Sequence, residues 1–529
     1  MGKARIAEML AVFGFFLAIG LSWLGVMPLW QGPDEPAQFA YVQYMADHRM
    51  PPIEQVVAPG KAPWQFSPSP AESLAIALTQ RNRVLTNPAA WLAITPQQAR
   101  GAAREVSQAS WAPGGDRPGS QNYVGIYPPL YYAAIGRAES WLHVRNVFDQ
   151  AFGGRLFSAG LLGLTGVLLD LLLAWLIPGA RLRTTLAAAT GLLFPTLGML
   201  GGTLSNDLIA DAASLAVFYL ALRAISAKRF PAITAVGFGV VAGIAIWTKE
   251  EAYLGLAASV PFVLRAVWRT ERGGRALAWT AAAAVTGIVI GGPWLLFTWH
   301  AYHALVPPLT YQGLGTDPRT VSWVINRQFL NGPYQKDLLV NQTLFGIDFP
   351  WWFPLSRQQW VFNVMAVILG TTLAAGMVCA RRTPGFWLSV VWMAMGLAVL
   401  WVVQIQYNLA TGSDFLQGRY FFFLLGPFTW FAAQALKKLS AIGIPLMLGV
   451  AAALSGLAAN ATLDRYYHAG LWRYVTGGVI AYGPTPLLTL SRGAAVAVAL
   501  AALGLLIAAP VAGLLASRSP SALWSARRG

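Results

Sequence analysis

Two adjacent carboxylates, Asp34 and Glu35, stand between prolines in the run Trp30-Gln31-Gly32-Pro33-Asp34-Glu35-Pro36-Ala37-Gln38-Phe39. A carboxylate acts as a general base only within hydrogen-bond reach of the proton it takes, and a Pro-flanked turn helps to hold it there. The plainer use of such a pair is helix capping, because acids suit the positive end of a helix. A second acid follows in Ser205-Asn206-Asp207-Leu208, open to the same two readings, with Asp211 one turn beyond it. Three cations occupy comparable places: Lys249 in Lys249-Glu250-Glu251, Arg419 in Gln417-Gly418-Arg419-Tyr420, and Arg155. Lys249 is either neutralised by the glutamates beside it or available to an anion. An arginine there either snorkels to a lipid headgroup or holds the phosphate of a bound lipid through a fork of donors that lysine lacks.

The chain that must position these groups is unusual in composition. Of its 529 residues, 56% are hydrophobic and only 11% are charged, against about 25% charged in ordinary globular chains. Apolar runs of bilayer-spanning length recur from end to end, at 6–29, 155–178, 185–204, 206–225, 231–249, 251–268, 276–299, 362–380, 385–407, 419–436, 442–463 and 493–516. The expected fold is therefore an all-α polytopic membrane protein of about twelve spans in one membrane domain. The first run lacks an Ala-x-Ala cleavage pattern and reads as an uncleaved anchor. The net charge of +16 would suggest nucleic acid in a soluble chain, but here it fits basic cytoplasmic loops, and no nucleic-acid partner is expected.

Lys3/Arg5, Arg181/Arg183, Arg223/Lys228/Arg229, Arg265/Arg269/Arg272/Arg275, Arg381/Arg382, Lys437/Lys438 and Arg518/Arg526/Arg527 fall in alternate connections. By the positive-inside rule these are cytoplasmic, as are both termini. The long connections, 30–154, 300–361 and 464–492, then lie outside. The first carries helix-like stretches, Pro70 to Leu85 and Tyr131 to Val144, suited to the interface. The acids and cations singled out above all fall on that outer side, so any chemistry is expected there or within the membrane. The aromatic runs Tyr127-Pro128-Pro129-Leu130-Tyr131-Tyr132 and Trp351-Trp352-Phe353-Pro354 fit an interfacial belt.

Other chemistries lack their residues. The single Cys379 excludes a disulfide framework or a cysteine-based metal cage. There is no phosphate-binding Gly-x-x-x-x-Gly-Lys loop and no Gly-x-Gly-x-x-Gly fingerprint after a strand, which argues against an ATP-driven pump. His300 and His303 are three apart, but they read as interface residues rather than metal ligands.

The order of these features resembles the glycosyltransferase C (GT-C) superfamily: an uncleaved first span, an acidic pair directly after it in a large outer loop, and a second acid between the third and fourth spans. Those polytopic enzymes, which include aminoarabinose transferases and protein mannosyltransferases, use polyprenyl-phosphate-linked sugars. More narrowly, Pro33-Asp34-Glu35-Pro36-Ala37-Gln38-Phe39, Tyr127-Pro128-Pro129-Leu130-Tyr131-Tyr132, Ser205-Asn206-Asp207 and Gln417-Gly418-Arg419-Tyr420 resemble a bacterial branch of predicted membrane proteins assigned to that superfamily.

The resemblance implies Asp34 as the base, Glu35 as its support and Asp207 as the second acid. It implies Lys249, Arg419 and Arg155 at the donor phosphate, and Gln38, Tyr127, Tyr131 and Asn206 at the substrates. Gln38 and Tyr127 stand where relatives often carry His, so no cofactor is expected and nothing supports a divalent metal. The implied partners are a polyprenyl-phosphate sugar donor, a glycolipid or cell-envelope polysaccharide acceptor, and the lipids of a bacterial inner membrane. The rival readings are a transporter or flippase for a lipid-linked saccharide, and a ligase or polymerase of lipid-linked glycans.

Overall fold

The computed structural model describes residues 2–48, 51, 69–79, 96–109, 123–144, 146–177, 179–228, 231–306, 319–332, 359–411, 417–436 and 443–467. Among these residues the regular structure is entirely helical. Five helices are long and apolar enough to cross a membrane: α1 (Lys3–Val26), α6 (Val147–Leu176), α9 (Asp207–Ser226), α12 (Gly274–Tyr302) and α15 (Phe386–Thr411). At 1.5 Å per residue the 24 residues of α1 rise roughly 36 Å, enough for a hydrocarbon core of about 30 Å.

Of the other expected runs, some are broken or cut short and some lie on uninterrupted helices. Run 185–204 divides into α7 (Ala180–Leu193) and α8 (Pro195–Gly202), because Pro195 has no N–H with which to continue the first helix. Run 231–249 becomes α10 (Ala232–Ile246), which stops before Lys249 and leaves that residue in the turn to α11 (Glu250–Thr270). A short helix, α13 (Val321–Ile325), follows α12. Run 362–380 lies within α14 (Gln359–Ala380), and residues 443–463 lie within α17 (Gly443–Tyr467). Arg419 does not open an α-helix: Gly418–Leu424 is a 3-10 turn, and α16 (Leu425–Leu436) follows it. Run 493–516 lies outside the described residues.

Small residues bring the central helices together. A Cβ on Gly166 of α6 would come within 2.4 Å of the Phe16 ring, and one on Gly202 of α8 within 2.4 Å of the Leu24 backbone nitrogen. α1 is thus wedged between α6 and α8, and Phe16, Ile19, Trp23, Leu162, Leu169 and Leu200 form part of the main apolar core.

A second core sits beyond the C-terminal end of α1. There α2 (Glu35–Asp47) packs on α5 (Leu130–Trp141) and the first turns of α6, burying Trp30, Phe39, Tyr41, Tyr131, Tyr132 and Phe148. Two shorter helices, α3 (Pro70–Leu78) and α4 (Pro96–Gln108), precede α5. The interfacial stretches read from Pro70 and Tyr131 thus form helices, ending at Leu78 and Trp141.

Charged groups close the bundle at both ends of α1. Near its start, Arg5 meets Glu8 at 2.7 Å and Asp170 at 2.6 Å, and Arg183 meets Asp170 at 3.2 Å and also pairs with Glu8. Asp170, an acid inside an apolar run, is therefore held by two arginines, as a buried ion requires. Arg155 and Asp170 of the same helix belong to opposite ends, and their fifteen-residue separation is roughly 22 Å along the axis.

Candidate functional site

The chain leaves α1 through Met27 and Pro28 and turns sharply before α2. Trp30 and Asp34 both adopt positive φ, 68° and 54°. Asp tolerates that left-handed conformation far better than a bulky aromatic does. Asp34 occupies the N-cap position of α2, yet its side chain makes no capping bond. It pairs instead with Arg419 Nη2. The reach back to the turn belongs to Glu35, whose Oε2 accepts from the Gly32 N–H at 3.1 Å.

Glu35 is the hub of this corner. Its Oε1 also accepts from the Leu204 N–H at 3.1 Å, which ties the α2 turn to the α8–α9 loop. Arg155 grips both of its oxygens, Nε to Oε1 at 2.6 Å and Nη2 to Oε2 at 2.8 Å. The rest of the guanidinium closes the end of α1, with Nη1 donating to the Met27 carbonyl at 2.7 Å and Nη2 to that of Pro28 at 2.8 Å. Arg155, expected at the donor phosphate, thus has its guanidinium spread over Glu35 and two carbonyls. Helix α6 starts at Val147, two turns before Arg155, so the arginine is buried between helices instead of standing at a span's mouth. Glu35, expected to support Asp34, pairs with Arg155 through both oxygens.

Asp207 opens α9 from the other side. Its Oδ2 accepts from the Ser205 hydroxyl at 3.1 Å, its Oδ1 lies 2.6 Å from Lys249 Nζ, and Arg419 Nε stands 3.6 Å from Oδ2. Lys249 also meets Glu251 at 2.9 Å, so neutralisation by its neighbour and contact with a distant acid both occur. The ammonium lies over two aromatic rings, 4.6 Å from the centroid of Tyr420 and 5.2 Å from that of Tyr127. Cation–π attraction of this kind strengthens where water is excluded.

Asp34, Asp207, Lys249 and Arg419 thus meet although they come from four separate segments. With Asp211, Glu251, Tyr420 and Phe423, three of these residues (Asp207, Lys249 and Arg419) line a cavity of about 10 Å³, room for roughly one water molecule. Asp211 is buried, and its Oδ2 has no hydrogen-bond partner among the described residues.

The residues expected at the substrates are mostly supports. Gln38 accepts from the Asn206 N–H at 2.8 Å and donates to the Pro33 carbonyl at 3.4 Å, bracing both acidic loops. The Tyr131 hydroxyl bonds Ser158 Oγ at 2.7 Å and accepts from the Ser205 N–H at 2.9 Å. Burial raises the Tyr131 phenol above its ordinary range, so it stays a neutral partner in that network. Asn206 is buried between these contacts. Tyr127 alone of the four presents its ring to a charged member of the cluster, Lys249, while its carbonyl accepts from the Tyr41 hydroxyl at 3.1 Å.

Tyr420 and Phe423 were not singled out from sequence. The signal for Tyr420 lay beside Arg419 in the same motif, whereas Phe423 is one phenylalanine in an aromatic run. Among the described residues no group of three or more His, Cys, Asp or Glu side chains is arranged to hold a metal ion.

A family model described as "Predicted membrane protein (DUF2142)" matches residues 16–426. No curated protein matches the chain. Among the solved structures similar to it are two of ArnT. The crystal structure of ArnT from Cupriavidus metallidurans bound to undecaprenyl phosphate is 15% identical, with 97% of this chain and 77% of that chain covered and a TM-score of 0.43. ArnT from the same organism in the apo state is 18% identical, with 73% and 66% covered and a TM-score of 0.38. Both likenesses are too remote to bear on mechanism.

Proposed function

The chain belongs to the DUF2142 family of predicted membrane proteins, and from that premise we propose that it is a membrane glycosyltransferase. It moves a sugar from a polyprenyl-phosphate carrier to a hydroxyl of a glycolipid or cell-envelope polysaccharide. Twelve spans place both termini in the cytoplasm of a bacterial cell and the charged cleft on the outer face of the inner membrane. The basic loops of the sequence support that orientation.

The observation that carries the reading is the convergence of Asp34 and Asp207 with Lys249 and Arg419 where helices end. A sugar phosphate makes two demands on its enzyme. The acceptor oxygen must lose its proton as it bonds the anomeric carbon, and the carbon–oxygen bond to phosphate must break with its electron pair left on the lipid phosphate. Asp34, the most exposed of the four, takes the acceptor's proton. Lys249 and Arg419 are fixed cations where the phosphate charge grows, and such preorganised groups stabilise a transition state most strongly away from water. Attack opposite the leaving phosphate inverts the anomeric centre. Asp207 holds Lys249 and faces Arg419, setting both cations in place. No step requires a nucleotide or a metal.

Purified, reconstituted protein supplied with a mixture of polyprenyl-phosphate sugars and envelope glycolipid tests this directly. Wild type transfers sugar, and a folded Asp34→Asn variant loses about a hundredfold or more, the scale of general-base catalysis. Movement of lipid-linked saccharide between leaflets without any transfer would replace the enzyme with a transporter.

A further inference from the structure

The cleft is already full of its own counter-ions. Lys249 carries Asp207 and Glu251, and Arg419 carries Asp34 and faces Asp207. With Asp211, four carboxylates surround two cations, and the space among the lining residues is about 10 Å³, one water molecule's worth. A lipid phosphate cannot reach both cations unless a carboxylate gives way.

The candidates to yield are not equivalent. The Asp207 side chain is 6% exposed and additionally held by Ser205, and Glu251 is 16% exposed. Asp34 is the most accessible at 23%, and its partner Arg419 is almost wholly buried. Asp34 also stands on a turn fixed from behind by Glu35 and Arg155, so letting go of Arg419 needs a side-chain rotation and no movement of the backbone.

We infer that the phosphate of the lipid donor and the Asp34 carboxylate compete for Arg419, so that donor binding releases Asp34. The inference rests on the proposed function and adds an order to it: donor before acceptor. While Arg419 holds Asp34 Oδ2, that oxygen is occupied and the base is withheld. Once phosphate takes the guanidinium, the carboxylate is free to meet the acceptor hydroxyl, and the sugar never faces an active base with the cations unfilled. The bidentate fit of guanidinium to phosphate favours the exchange.

Calorimetric titration of farnesyl phosphate, with farnesol as the tail-only control, into detergent-purified full-length protein reads the competition. Asp34→Asn and Asp34→Gly are both used, since Asn and Gly each accept the positive φ at this position. Each binds farnesyl phosphate about tenfold more tightly than wild type, equivalent to roughly 1.4 kcal/mol, and neither gains for farnesol. Wild-type affinity in both variants, with binding still lost in Arg419→Gln, overturns the competition and leaves the transferase reading standing. Arg419→Gln and Lys249→Gln that bind as well as wild type would remove the phosphate assignment itself. Sugar transfer retained by Asp34→Asn would sink the base assignment whatever the affinities show.

Discussion

Arg155 and Glu35, separated by 120 residues, meet as a two-pronged pair with nitrogen–oxygen distances of 2.6 and 2.8 Å. Through that contact one side chain of α6 holds the end of α1, the start of α2 and, by way of Glu35, the loop before α9. Both acids of the proposed site, Asp34 and Asp207, sit within three residues of a group tied to this pair. The corner is a frame for the site, and its substitution should be read first in stability.

Arg155→Lys keeps the charge and loses the fork. Lysine cannot reach Glu35 and two carbonyls together, so the variant leaves buried acceptors unpaired. Buried acceptors stripped of their donors cost about 1–3 kcal/mol. A thermal melt in detergent should fall by many degrees, and Glu35→Gln should fall similarly. An Arg155→Lys melt equal to wild type, with transfer alone impaired, would return Arg155 to the substrate.

Gly202 tests the seam between α1 and α8. A Cβ there would meet the Leu24 nitrogen and the Trp23 carbonyl carbon, each at 2.4 Å. These are backbone atoms, which cannot rotate aside. Gly202→Ala must push the helices apart just before the Ser205–Asp207 loop, and overpacking of this kind costs roughly 1–3 kcal/mol. Gly2→Ala, where nothing lies within 4 Å, is the control expected to melt as wild type does. A Gly202→Ala protein that melts with the control would show that α1 and α8 stand further apart than described.

Glu139 of α5 is a buried carboxyl with no hydrogen-bond partner among the described residues. Burial pushes it up from 4.5 to about 9. The unfolded chain gives up this proton near its ordinary value while the folded chain keeps it. Between those two values the unfolded state binds fewer protons, and stability falls as pH rises, levelling off above about 9. Glu139→Gln has no such proton to lose. Its melt should match wild type near pH 4.5 and exceed it increasingly toward pH 8, by at most about 1.4 kcal/mol per pH unit. A difference that stays constant across that range would show the carboxyl to be ionised in the fold.

Much of this was legible in the residues themselves. Apolar run length marks out helices: among the described residues each expected run from 6–29 through 442–463 carries helix, and α2 to α5 form between the runs. Asp34, Asp207, Lys249 and Arg419 each announced themselves as ions beside an apolar run. The capping reading was equally sound locally: Asp34 stands at the N-cap of α2 and Asp207 in the first turn of α9, and each acid also finds a cation from another segment. Arg419 reaches Asp34 across 385 residues, and no spacing rule carries that far. The burial of Arg155 was hidden for a simpler reason. Nothing in the composition shows that α6 begins at Val147, eight residues earlier, which turns an apparent surface arginine into a buried one. Pro195 divides run 185–204 into two helices, a break that apolar run length alone does not register.

Lys249 and Asp207 allow fold and chemistry to be separated. Their 2.6 Å contact is nearly buried, with the side chains 5% and 6% exposed. Removing Lys249 leaves Asp207 with Ser205 and the longer contact to Arg419, and removing Asp207 leaves Lys249 to Glu251; breaking a buried pair costs up to about 3–5 kcal/mol, whereas replacing both with apolar groups of similar size is often close to neutral. Lys249→Met and Asp207→Leu should each lower the melting temperature, and the double variant should recover most of the loss. Sugar transfer should not follow the melt: the double variant folds but lacks both a cation for the phosphate and the acid that set it, so it stays inactive. Additive destabilisation in the double variant would mean that the two side chains do not act as a pair. Restored transfer would mean that neither is needed for the chemistry.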